Sequence, residues 1–388
     1  MGDLGPGDGV DLYAGRIGAA VAAVDAALAD PELPPRAQFA VLITGLIPMY
    51  LGGRATDAVT LGRQLRQDFL RFSGGVPTLR VQAELELAEA LAWAGDLQGA
   101  RALCSSLRAR AEEEGDGAGL VIITIVTGLV ATHAGAHREA ADALVALGSL
   151  EQSAYRPWPP YLYGRLAAVA HRIGDGRAGD DYLERCATWE RPGLRLHELC
   201  TARARAEAHA ARGGRRGAVA ALHAVTARAL ALGNRTEALY AAVRAAALSA
   251  DTHDLRAALA VASTFQGVLG ETVAAGLDAC LHDDSRALAG AANRLHGRGF
   301  VLLADDLDLL AQARPTADTA EPRTPVPPAR LTDREQEIAH LVEQGRSDAE
   351  IAQQLGISVR TVHAHVRSIF AKLGVSRRRD VRGDAGPD

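Results

Sequence analysis

A chain of 388 residues is long enough for two or three domains and a large buried core. It is rich in alanine, leucine, arginine and glycine and only 4% aromatic, which suits close-packed helices with alanine contacts and speaks against a large β-structure. The net charge of −5 is unevenly placed: residues 358–382 hold seven Arg or Lys against one acid, a local +6 that leaves −11 elsewhere, so contact with a polyanion is directed to one end.

The first ten residues, MGDLGPGDGV, are acidic and glycine-rich, the opposite of a signal peptide, and read as a tail over 1–10. From residue 11 to 312 a period emerges. Gly53, Gly95, Gly135, Gly174 and Gly213 each end an apolar helical run, at intervals close to forty residues. Five residues after each glycine comes a small side chain: Ala58, Ala100, Ala140, Gly179, Ala218. A leucine follows eight or nine residues after each glycine: Leu61, Leu103, Leu144, Leu183, Leu222. That is the mark of helical hairpins whose second helix packs through its small residue. The clearest copy, AEALAWAGDLQGARAL, resembles the tetratricopeptide pattern stretched to about forty residues. Beyond Asp251 the period fades, although AALAVAS and ALAGAANRLHGRGF still read as helices. The array predicts a superhelix with an open concave face for an effector: a peptide, a protein or a small molecule.

Within it, Ala118 to Ala134 (AGLVIITIVTGLVATHA) is uncharged but shorter than the roughly twenty residues of a membrane span. The repeat places a buried helix there, so no membrane contact is expected. Four scattered cysteines, Cys104, Cys186, Cys200 and Cys280, read as small buried side chains in reducing, cytoplasmic surroundings. His197–Glu198 with Cys200, and His282 with Asp283–Asp284, come nearest to a reactive or metal cluster. Both read as surface turns, because a closed metal site needs three or four converging ligands. No nucleophile elbow, Ser–His–Asp set or phosphate loop stands out, so no cofactor, metal or enzymatic activity is expected. Five prolines between Arg314 and Arg330 (RPTADTAEPRTPVPPAR) make 313–330 an extended linker.

The segment LTDREQEIAHLVEQGRSDAEIAQQLGISVRTVHAHVRSIFAKLGV, residues 331–375, is the most specific part of the chain. Thr332 with Glu335, and Ser347 with Glu350, are capping boxes that start two helices; Gly345 and Gly356 end them. Ser358 caps a third, on which Val362, Val366, Ile369, Phe370 and Leu373 form one apolar stripe at a hundred degrees per residue. Arg360, Ala364, Arg367 and Ala371 lie opposite, with His363 at the edge, a small and basic face suited to a DNA groove. His365 flanks the stripe and reads as packing.

These strings, LTDRE, GRSDAEIAQQLGIS and TVHAHVRSIFAKLGV with Arg377 following, resemble the LuxR-type (GerE- or FixJ-type) DNA-binding domain. The resemblance implies a four-helix helix-turn-helix whose third helix enters the major groove, with His363, Ala364 and Arg367 touching bases. It departs from the family pattern at His363, where a lysine is common, and at Asp348, which replaces a common asparagine. The last helix, which in the family makes a dimer contact, is shortened, since Val381 is followed by RGDAGPD. The order of array then reader also resembles the C-terminal half of large ATP-binding LuxR-family regulators, notably in HELCTARARAEAHAARGG and ALALGNRTEALYAAVRAA. Their P-loop needs a lysine, and this chain's single lysine is Lys372, within the DNA-binding segment.

The expected architecture is thus all-α: a tetratricopeptide-like superhelix over 11–312, a linker over 313–330, a LuxR-type domain over 331–381 and a tail over 382–388. The expected function is sequence-specific transcriptional regulation through a partly palindromic duplex site, read by a homodimer. Arg360 and Lys372 would neutralise phosphates, with Ser358 and Thr361 as hydroxyl contacts, while Arg367 and His363 reach base edges and Arg377 adds charge. The alternative from another class is an interaction scaffold whose DNA-binding end is secondary or vestigial.

Overall fold

In a computed structural model of the chain, the residues described are 16–34, 45–72, 77–141, 158–189, 195–313, 331, 333–355, 362, 366 and 369. Among them every regular element is an α-helix. The chain divides into two compact units, Met1–Thr316 and Ala317–Asp388. The Pro-rich stretch 314–330 and the terminal tails lie outside the described residues.

The first unit is a succession of antiparallel helices. They are α1 (Ile17–Ala29), α2 (Ala55–Phe72), α3 (Pro77–Ala94), α4 (Leu97–Glu114), α5 (Gly117–His133), α6 (Trp158–Arg172) and α7 (Gly176–Trp189), with shorter helical stretches at 45–51 and 137–141. They continue as α8 (Arg195–Ala211), α9 (Arg215–Ala231), α10 (Arg235–Ser249), α11 (Thr252–Ala262), α12 (Val268–Leu281), α13 (Ser285–Arg298) and α14 (Val301–Ala313). Many turns use one device. A residue in the left-handed region stops one helix, and the next residue caps the following helix through its side chain. Asp96 after Gly95 accepts from the Gly99 N–H (2.8 Å), Asp116 after Gly115 from Gly119 (2.8 Å), and Asn234 after Gly233 from Glu237 (3.0 Å). Two residues thereby reverse the chain, which keeps consecutive helices close and antiparallel. At Gly95 a side chain would also strike the Leu269 backbone nitrogen, 2.9 Å from a Cβ, so the residue serves packing as well as the turn.

All five repeat glycines sit in this left-handed region, with φ between +68° and +99°. Ala58, Ala100, Ala140 and Ala218 are fully buried, and a Cβ at Gly179 would meet the His171 ring at 2.6 Å. Small residues at that register are therefore a steric requirement of hairpin packing. Leu222 is buried, Leu61, Leu103 and Leu183 are half-buried, and Leu144 lies outside the described residues. The hairpins do not fade after Asp251. Ala250 (φ +55°) and Asp283 (φ +56°) adopt the left-handed conformation in the glycine's place; without a glycine the period is invisible in sequence. The apolar run at 118–134 is helical, as α5, and its second half is buried. No described helix is long and apolar enough to cross a membrane.

The inner helices α3, α5, α6, α8 and α10 neighbour one another in turn. Then α14 packs on α10, α12 on α14, and α12 also meets α3. The ends are tied by backbone groups: Gln266 N–H donates to the Gly53 carbonyl (2.8 Å), and Ile17 N–H to that of Leu232 (3.2 Å). The open concave face expected from the repeat is thus filled by the last helices of the same unit.

What fills the centre is polar as well as apolar. Trp93 (α3) packs edge-on against the His133 ring (α5) at 4.5 Å and near Tyr240 (α10) at 5.8 Å. Arg165 (α6) donates to His133 Nε2 (2.8 Å), so the other ring nitrogen carries the hydrogen and donates to the Tyr240 oxygen (3.1 Å). Arg203 (α8) pairs with Glu237 (α10) at 2.6 Å. Arg172 (α6) makes a two-pronged contact with Asp306 (α14), both bonds 2.8 Å, and Arg244 (α10) bridges Asp306 and Glu207, each at 3.0 Å. Asp306 is wholly buried. A cavity of about 10 Å³, room for one water, lies among Trp93, Thr132, Arg165, Arg203, Glu237 and Tyr240. The Trp93 indole N–H and one Glu89 oxygen complete no hydrogen bond. Burial, only partly offset by the charge of Arg165, leaves the Glu89 carboxyl above its usual range.

Two sequence expectations change here. His197 and Cys200 are not a surface turn; both lie buried on α8, because the repeat carries that helix through the inner row. His282–Asp284 is an exposed turn, as expected. All four cysteines are buried thiols outside any disulfide.

The buried histidines give the unit an acid sensitivity. Burial pushes His197 down to about 4. Burial, then the charges of Arg165 and Arg203, hold His133 well below its ordinary value. Both are neutral in the fold and take up protons on unfolding below about pH 6.5. Stability should therefore fall as pH drops from about 6.5 towards 4, with His197 contributing up to about 3 kcal/mol of the loss. Urea denaturation across this range should show it, and His197→Leu should flatten the slope. An unchanged slope in that variant would mean that His197 is already protonated in the fold.

The core ion pairs give a second expectation. Asp306→Ala leaves Arg172 and Arg244 buried with a partner removed and should destabilise by about 3–5 kcal/mol, measured by the same denaturation. A loss below about 1 kcal/mol would mean that water reaches the two guanidinium groups.

Candidate nucleic-acid interface

The second unit contains α15 (Asp333–Glu343) and α16 (Asp348–Leu355). Val362, Val366 and Ile369 are also helical. On α15, Ile338, Leu341 and Val342 recur at the spacing that shares one helical face, and all three are buried. They meet Ile351 and Ala352 of α16, with Val362 and Ile369, in one core that also takes in Leu331. Val362 and Ile369 are essentially inaccessible and Val366 is half-buried against the same core. Three members of the predicted stripe therefore point inward; Phe370 and Leu373 lie outside the described residues.

The turn between the two helices is built from the predicted signals. Gly345 is left-handed (φ +77°), and Arg346 N–H returns to the Leu341 carbonyl (3.1 Å). The Ser347 N–H donates to Glu350 Oε2 (2.7 Å), while the Glu350 N–H reaches Ser347 Oγ at 3.4 Å, the reciprocal pattern of a capping box. The Ser347 N–H, then its hydroxyl, hold the Glu350 carboxyl below its usual value. Asp348 adds a second carboxylate to that first turn, where the helix dipole favours it. Of the other capping box, Glu335 is buried and Thr332 lies outside the described residues, as does Gly356.

Arg334 is a residue whose role the sequence did not disclose. It donates to the Leu355 carbonyl at the end of α16 (3.1 Å) and to Glu337 (2.6 Å). The carbonyl is one of those an α-helix leaves without an internal partner, so Arg334 fixes the start of α15 to the end of α16. The only signal available beforehand was its place in the LTDRE string. The exposed side chains of α15 include Glu337 and Glu343, which do not suit contact with phosphates. The basic excess falls later, at 358–382. The residues expected to touch DNA, Ser358, Arg360, Thr361, His363, Ala364, Arg367, Lys372 and Arg377, all lie outside the described residues.

Residues 329–382 match the luxR family of bacterial regulatory proteins. This segment is a LuxR-family helix-turn-helix domain. Individual regulators are similar over stretches of comparable length. The chain is 48% identical over 54 residues to the monoamine regulon transcriptional regulator of Klebsiella aerogenes, covering 14% of this chain and 24% of that protein. It is 48% identical over 46 residues to the transcriptional regulatory protein UhpA of Escherichia coli K12, and equally to that of Salmonella typhimurium, covering 12% of this chain and 24% of each. The chain thus spans about a quarter of the length of these curated relatives.

If Arg334 sets the LuxR-type core, Arg334→Ala should weaken it by about 1 kcal/mol, the net worth of one such hydrogen bond, since the exposed Glu337 pair adds little. Hydrogen exchange at the amides of Ile351 to Leu355 should speed up in this variant. Unchanged protection there would mean that the carbonyl is equally well served by water.

Proposed function

We propose that the chain is a sequence-specific DNA-binding transcriptional regulator acting in the cytoplasm, with a body over about 11–312 that passes a signal through the 313–330 linker to a reader over 331–381. The observation that carries this reading is the inward burial of Val362, Val366 and Ile369 in a LuxR-family domain. With that stripe committed to the core, helical periodicity assigns Arg360, Ala364 and Arg367 to the opposite face. Arg367 and His363 read base edges in the major groove; Arg360 and Lys372, with Ser358 and Thr361, hold phosphates, and Arg377 extends the basic track. Two copies meet on a partly palindromic site, as a twofold protein requires. Because the inner face of the array is filled, the effector acts on the outer helices or by opening the last ones, and biases pre-existing arrangements. No step of this function calls for catalysis.

The test uses the full chain and duplexes recovered by genome-wide mapping of the DNA it binds. Affinity should fall steeply with salt as counterions are released. Arg367→Ala should weaken a recovered site by about 1–3 kcal/mol more than it weakens random duplex, read by fluorescence anisotropy. Equal losses on both would reduce Arg367 to a phosphate contact and remove the base-reading assignment.

A further inference from the structure

The last hairpin of the helical body brings together three side chains that sequence spacing keeps apart. His296 occupies the final turn of α13. Gly299, left-handed at φ +89°, then ends that helix and lets α14 return alongside it. On α14, Asp305 and Asp308 stand three residues apart, which places them on one face. His296 Nε2 lies 3.0 Å from Asp308 Oδ2 and 3.8 Å from Asp305 Oδ1. One donor atom from each of the three residues falls within 4.8 Å of the others.

We propose that His296, Asp305 and Asp308 form a binding site for a divalent transition-metal ion of the zinc class. The donor set is one imidazole and two carboxylates, which suits zinc, cobalt or manganese and not magnesium, an ion that prefers an all-oxygen octahedron. Donors held at about 2.1 Å around a tetrahedral ion stand about 3.4 Å from one another. The separations of 3.0 and 3.8 Å bracket that value, so small side-chain rotations on fixed helices complete the geometry.

Arg172 and Arg244, the neighbouring arginines that reach α14, make their ion pairs with Asp306. Among the described residues the ion pair of Asp305 is with His296 alone, at 3.8 Å. Both carboxylates lie within reach of the one imidazole. Asp305 is half-exposed and His296 mostly covered, so an ion would enter from solvent and keep water in its open position. Bound there, it cross-links α13 to α14, the helix that immediately precedes residues 314–330. Metal occupancy would then stiffen the end of the body next to the linker, on the side of α14 opposite to its Asp306 anchor. This site stands on the hairpin geometry and does not depend on the DNA-binding reading.

The experiment is isothermal titration calorimetry of the chelator-treated full chain with ZnCl₂, and separately with MgCl₂. One equivalent of zinc should bind, with no comparable heat from magnesium, and the thermal midpoint should rise with zinc. His296→Ala and Asp308→Asn should each weaken zinc binding by about 10- to 100-fold. Cobalt should give visible bands in the parent that both variants lose. Asp305→Asn, at the most exposed of the three positions, guards against misfolding: its metal-free thermal midpoint should match the parent while its zinc affinity drops. No zinc heat in the parent would overturn the site. So would zinc binding that survives unchanged in these variants, which would place the ion at other histidines or cysteines.

Discussion

The helical body depends on charges buried where alanine-rich helices would otherwise meet without preference. Arg165 and Arg172 on α6, Arg203 on α8 and Arg244 on α10 each reach a carboxylate or a polar ring on another helix. Alanine contacts are small and similar at every register, so a stack held by them alone could slide by a turn with little penalty. A guanidinium taken out of water tolerates no such slip, because losing its partner leaves a desolvated charge that is costly to bury. Such pairs add little net stability against an apolar core of equal volume. We attribute to them the selection of one register and one closure of the inner row.

Asp306 concentrates that effect. It receives Arg172 from α6 and Arg244 from α10, and Arg172 also donates to the Leu302 carbonyl at 2.7 Å. One carboxylate on α14 therefore fixes the last helix against two helices of the inner row. The aromatic hub of Trp93, His133 and Tyr240 does the same further along, since the three rings come from three helices and the two His133 nitrogens join Arg165 to Tyr240. The consequence for function is a body whose inner face is committed to its own folding. The helices α13 and α14 are the ones that lead into residues 314–330.

The LuxR-type unit is stabilised by local devices of a different kind. Its core is small, drawn from Leu331 to Ile369, and its angles are set by a capping box, a left-handed glycine and the Arg334 contact to Leu355. Burial of Val362 and Ile369 turns these two side chains into that core. The luxR family match covers this unit, over residues 329–382.

Much of this was legible in the residues alone. Left-handed turns announced themselves through glycine at 53, 95, 135, 174 and 213, because few other residues adopt that conformation without strain. The capping box at Ser347 and the stripe at Val362, Val366 and Ile369 were legible because caps and helical faces depend on residues three or four apart. Ala250 and Asp283 hid two further turns, since a non-glycine left-handed residue carries no sequence mark. Beyond local range the sequence was silent. That α12 and α14 would fill the array, that Asp306 would meet Arg172 from 134 positions away, that His197 and Cys200 would be buried, and that His296 would face Asp305 and Asp308 were decided by packing. Helical periodicity tells which face of a helix is apolar; only the closure of the whole row decides which helix that face will meet.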